Sequence, residues 1–153
     1  GAASLAGGLA MGVAMFLTFR LIGFGSGGEG VLLDPATQSA KLIAVWTSLE
    51  PRPRIIHAPL LMQAGFIVLA AIHAAVYKSV AAAWPPGLVP RGLRFSALLF
   101  GCMFLFWEFF TPFNLFGEPL PLIGLELLFW SGVALAEGFA IAAVLERGCP
   151  APN

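Results

Sequence analysis

FLFWEFFTPFNLFGEPLPLIGLELLFW, residues 104–130, is the stretch whose reading decides the fold. Two oily runs flank TPFNLFGEPLP, whose prolines and glycine interrupt helical structure. The stretch therefore reads as the end of one bilayer-crossing helix, a tight turn and the start of the next. It nevertheless holds Glu108, Glu118 and Glu126. A lone carboxylate near the bilayer centre costs at least about 2.5 kcal/mol. Glu108 and Glu126 therefore call for partners, whereas Glu118 falls in the turn, at head-group level, where water satisfies it.

The whole chain supports lipid as the solvent. Its 153 residues are 59% hydrophobic and 10% charged, with a mean hydropathy of +0.90. Soluble domains carry about 25% charged residues, and a soluble domain this small could not hide so much apolar surface. The expected fold is an all-α integral membrane protein. Its spans, each about the 20 residues a bilayer core requires, lie at residues 3–24, 55–77, 93–110 and 121–145, forming a single transmembrane domain of two hairpins. GFGSGGEG, EPRPR, WPPGLVPRG and the C-terminal GCPAPN punctuate them. The first span lacks a basic leader and reads as retained, not as a cleaved signal peptide.

The first loop, about 30 residues by this division, contains a second helical signal. Asp34-Pro35 resembles a cap followed by a first helical residue, and Leu42, Trp46 and Leu49 recur at helical spacing. The expectation is a short amphipathic helix over 35–49, either at the membrane surface with Trp46 at head-group level or packed on the bundle. In the first span Ala3, Gly7, Gly8 and Gly12 place small residues about four apart, which lets helix backbones approach closely.

Four spans put both termini on one side, with Lys78, Arg91, Arg94 and Arg147; the other side holds Lys41, Arg52 and Arg54, with Arg20 just inside it. The positive-inside rule leans narrowly to cytoplasmic termini in a bacterial-type inner membrane.

Helical rise converts position into depth. Arg20, His57, Glu108 and Glu126, one per span, fall in one layer near the loop-bearing face, where Arg20 could hold the carboxylates through paired hydrogen bonds. His73 and Glu137 form a second layer about 24 Å beyond His57. Glu126 and Glu137 are separated by almost three full turns and so share a helix face. The first layer reads as an ion-pair lock or as a pocket for a head group, a quinone or an ion. The second reads as a hydrogen-bonded pair or as half of a proton path ending at Glu126.

Much chemistry is excluded. Net charge is zero with no concentrated basic face, so nucleic acid is not a partner. Cys102 and Cys149 make no CxxC, and no metal is expected. There is no phosphate loop, HExxH or GxSxG. No cofactor is predicted. His57 and His73 lie at different depths, which rules out one haem between them, and a pigment on a single histidine is the one cofactor reading left. Three functional readings follow. The first is a non-catalytic accessory or structural subunit, packed among lipids and other membrane subunits through faces such as the Phe104–Phe116 aromatic run. The alternative is a small proton-coupled carrier using Glu126, Glu137 and His73. The third is an enzyme or binding protein for a lipid or quinone head group at the Arg20 layer.

Overall fold

The computed structural model describes residues 1–147. Cys149 lies outside the described residues. Every regular element among them is helical. Four helices are long and apolar enough to cross a membrane: α1 (Ala2–Gly23), α4 (Pro59–Ala83), α5 (Leu88–Leu115) and α6 (Leu120–Glu146). Between α1 and α4 lie a 3-10 turn (Val31–Leu33) and two short α-helices, α2 (Ala40–Thr47) and α3 (Arg54–His57).

The helix ends differ from expectation where proline was read only as a stop. The second span, expected over 55–77, is displaced towards the C-terminus. His57 closes the separate turn α3, Ala58 leaves helical geometry, and Pro59 opens α4. A proline is tolerated there because the first helical N–H has no intrahelical acceptor anyway. The third span, expected over 93–110, is longer at both ends. Pro90 sits in the first turn of α5, where its missing N–H again costs little. Pro112 falls within a π-helical stretch, Phe109–Leu115, an irregularity of the kind that accommodates a missing donor. Gly117, at φ +67°, then turns the chain into α6, and the Gly117 and Glu118 amides donate to Phe113 O and Pro112 O.

The first loop is packed on the bundle. Asp34 does not cap a helix; its carboxylate accepts from the Ala36 amide and makes a local turn. Ser39 is the cap, accepting from the Leu42 amide at 3.2 Å, so α2 starts five residues later than Pro35. Leu42 is buried, and the Trp46 ring lies 4.2 Å from that of Phe24. Ser39 Oγ and Lys41 Nζ donate to Phe116 O and Leu115 O at the tip of α5.

α1 packs on α4 and α6, and α5 packs on α6. The small residues of α1 make these approaches close: Gly7 lies against Ile141 and Ala70, and Gly8 against the Ile67 backbone. Gln63 Nε2, on α4, donates to Gly8 O at 2.8 Å across that seam. Towards the loop end, Trp130 of α6 stacks on Phe104 of α5 with centroids 4.5 Å apart and also meets Phe19 of α1. Towards the termini, Tyr77 of α4 meets Phe95 of α5 edge-on at 5.1 Å. The outer surface is as apolar as the core: Leu60, Val68, Phe106 and Leu128 are 65–85% exposed.

Candidate functional site

α6 is the spine of the polar interior. Glu126, Glu137 and Gly138 lie on its buried side together with Phe129, Val133, Ala134, Ile141 and Ala142. The two glutamates are separated by eleven residues, about 16 Å of helical rise, and each meets a different set of neighbours.

The first set gathers at the loop end. Glu108 projects from the single α-helical turn Phe106–Glu108, held between two π-helical stretches of α5, and is fully buried. Its Oε1 accepts from Trp130 Nε1, one turn beyond Glu126 on α6. Glu126 faces the Glu108 carboxyl across the α5–α6 interface. Glu118, in the turn between the two helices, is 1% exposed. The first loop folds over it, and Gln38 Nε2 donates to Glu118 Oε1 at 2.7 Å while also reaching Leu32 O. Burial pushes the Glu118 carboxyl above the ordinary carboxylate range; the Gln38 amide opposes that shift, and the nearby Glu108 charge adds to it. One oxygen of Glu118 is buried without a hydrogen-bond partner among the described residues.

This set is not the layer read from the sequence. Glu108 and Glu126 do come together, but Arg20 and His57 do not join them. Arg20 is exposed, and its guanidinium donates to Gly25 O and Ser26 O, the latter at 3.0 Å. The glycine-rich turn after α1 folds back and offers carbonyls five and six residues away, closer along the chain than any carboxylate. His57 is exposed in α3, outside the long helices. Glu108 also lies deeper than its expected position under one turn from a helix end, because α5 continues about two turns beyond it. Glu118 needs the partner it was expected to do without, because the loop shields it from water.

The second set lies nearer mid-helix. His73 Nδ1 is 2.7 Å from Glu137 Oε1, with the two side chains 8% and 0% exposed. The other Glu137 oxygen is buried without a hydrogen-bond partner. The pair was expected near the far face, but α4 starts four residues later than predicted and runs six residues further. Between the two sets lies an apolar layer of Phe104, Trp130, Val133 and Ala134.

The sequence reading did not single out a third cluster. Tyr77 Oη donates to Glu146 Oε1 at 2.8 Å, and Arg91 Nη1 lies 2.9 and 2.8 Å from the two Glu146 oxygens. One signal was available: Tyr77 follows His73 by four residues and so shares its helix face. Among the described residues, no group of histidine, cysteine and acidic side chains is arranged to hold a metal ion. For the pigment reading, His73 is engaged by Glu137 and His57 is exposed in a loop helix. Comparison with family models, curated proteins and solved structures returned no match, so the function is argued from this geometry alone.

Proposed function

We propose that the protein is a small proton-coupled membrane carrier in which Glu108–Glu126 and Glu137–His73 are two proton-exchanging stations. In this reading the four long helices cross a bacterial-type inner membrane as two hairpins, with both termini cytoplasmic. The apolar outer surface and the helix lengths support insertion. The observation that carries the carrier reading is the pairing of buried carboxyls without a cation. Glu108 and Glu126 face each other, and among the described residues neither Arg nor Lys pairs with them. Facing buried carboxyl groups can share one proton between two oxygens, which is what an exchange station requires. Glu137, with His73 against it, provides a second acceptor on the same helix face. Intramembrane groups of this kind mark proton relays. The apolar layer between the stations opposes a continuous leak, so transfer across it requires a change of packing or transient wetting.

Purified protein in vesicles, driven by an imposed potential, tests the proposal. Proton uptake by the wild type, lost in Glu126→Gln, supports it; uptake no faster than in empty vesicles removes it.

A second reading, the accessory subunit, is favoured by one observation. Phe106, Trp107, Phe109, Phe110 and Phe113 form an exposed ring-rich face on α5, and aromatic residues are enriched at interfaces. Stoichiometric membrane partners in a native purification would support it. The head-group reading loses its anchor, because Arg20 is committed to backbone carbonyls.

A further inference from the structure

We propose that Tyr77 and Glu146 form the outlet through which the Glu137–His73 station exchanges protons with the water at the terminal end of the bundle. The inference rests on the carrier reading and adds a route to it. Three features of the geometry support it.

First, three buried polar groups lead to a more exposed one at the helix end. Glu137 is fully buried, His73 is 6% exposed and Tyr77 is 2% exposed, whereas the Glu146 side chain is 17% exposed at the last residue of α6. His73 and Tyr77 lie one turn apart on one face of α4. Tyr77 then hands its hydroxyl to Glu146 at 2.8 Å. The polar groups thus follow one another from a sealed carboxyl to the bundle end at spacings of about one helical turn or less.

Second, the packing at Tyr77 does not require a hydroxyl. Its ring meets Phe95 edge-on, an arrangement phenylalanine makes equally well. The buried hydroxyl is instead aimed at a carboxylate that can accept a proton. Third, Arg91 straddles both Glu146 oxygens. A guanidinium there fixes the orientation of the carboxylate and leaves one of its oxygens facing the Tyr77 hydroxyl. Arg91 is thus a positioning residue.

The transfer balances without an electron donor. The ring nitrogen of a protonated His73 that faces away from Glu137 releases its proton to Tyr77 Oη, directly or through one water. As it does so, the Tyr77 hydroxyl proton passes to Glu146 Oε1. Tyr77 is a neutral phenol before and after. Glu146 becomes a neutral acid, releases the proton to water and regains its ion pair with Arg91. His73, now neutral with its remaining proton on Nδ1, turns its ring over to present the bare nitrogen to Glu137 and takes the next proton from it.

The bland alternative is a structural tie: Tyr77, Glu146 and Arg91 simply pin the ends of α4, α6 and α5 together. A tie changes stability; an outlet changes flux at unchanged stability. Proton uptake into vesicles and thermal unfolding are measured together on the wild type, Tyr77→Phe, Glu146→Gln and Glu137→Gln. Glu146→Gln keeps an oxygen for the Tyr77 hydroxyl but no carboxylate to take its proton, so it decides the matter if Tyr77→Phe fails to fold. The outlet predicts that both variants lose at least about ten-fold in flux while unfolding near the wild-type temperature. Wild-type flux in both, with Glu137→Gln inactive, overturns the outlet and leaves the carrier reading standing. Flux lost only in proportion to lost stability assigns the cluster to the tie and overturns the outlet. No flux in the wild type removes both proposals together.

Discussion

Replacing Gly8 by alanine tests the packing of α1 on α4 with a single methyl group. A Cβ at Gly8 would lie 2.6 Å from Ile67 Cα and 2.8 Å from Ile67 N. Ordinary carbon contacts start near 3.5 Å, so the two helices must part by about 1 Å. No rotamer change relieves the clash, because the obstacle is backbone. Parting stretches the 2.8 Å bond from Gln63 Nε2 to Gly8 O beyond hydrogen-bond range, a loss of about 0.5–1.5 kcal/mol. Overpacking adds about 1–3 kcal/mol. Alanine's better helix propensity returns up to about 1 kcal/mol. The net expectation is a loss of about 0.5–4.5 kcal/mol. Gly65, on α4, is the internal control: a Cβ there meets nothing within 4 Å, so Gly65→Ala expresses the propensity gain alone. Denaturant unfolding in detergent, followed by circular dichroism, compares the two. If Gly8→Ala matched or exceeded the stability of Gly65→Ala, the close α1–α4 approach would be refuted.

The remaining predictions concern the acidic cluster and the loop above it. Trp130→Phe keeps the stack on Phe104 but removes the indole donor to Glu108, leaving the Glu126 carboxyl as the partner it faces; it should cost about 1–3 kcal/mol. Glu108→Leu should recover part of that loss, and strict additivity in the double-mutant cycle would contradict the contact. The raised pKa of Glu118 means that the folded state holds its proton more tightly than the unfolded chain. Its contribution to stability is therefore present below the ordinary value of 4.5 and is lost as pH rises through the folded value. Glu118→Gln keeps the acceptor for Gln38, so it should flatten that decline and be at least as stable at neutral pH; an unaltered pH profile would argue against a buried Glu118. Ser39→Ala removes the cap of α2 and a bond to Phe116 O, at a cost of about 0.5–2 kcal/mol. It should speed amide exchange across Ala40–Thr47, and unchanged exchange would discount the cap.

The long helices were legible because hydropathy over some 20 residues is a coarse, additive signal that survives local irregularity. Their ends were not, because one residue type carries two meanings. Pro59 and Pro90 begin helices, and Pro112 sits inside a π-helical stretch, while composition alone reads all three as interruptions. The loop helix shows the same ambiguity: Asp34-Pro35 and Ser39 are both plausible starts, and only the register of Leu42 against the bundle selects the second. In the interior, the shared face of Glu126 and Glu137 follows from α6 periodicity, and both side chains are buried. Pairing between helices was harder. Depth matching put Arg20 beside Glu108, but depth says nothing about rotation, and the local carbonyls of Gly25 and Ser26 capture that guanidinium. Gln38 could not be foreseen as the partner of Glu118 either, since that contact spans 80 residues and depends on how the loop folds over the helix tips.

The most direct test of the central claim is the initial rate of proton uptake into vesicles carrying wild-type protein or Glu137→Gln, under the same imposed potential. Glutamine preserves the size and the hydrogen-bonding oxygen at His73 while removing the exchangeable proton. The account predicts uptake well above that of empty vesicles for the wild type and none above that background for Glu137→Gln. Equal rates in the two proteins, with both correctly folded, would contradict it.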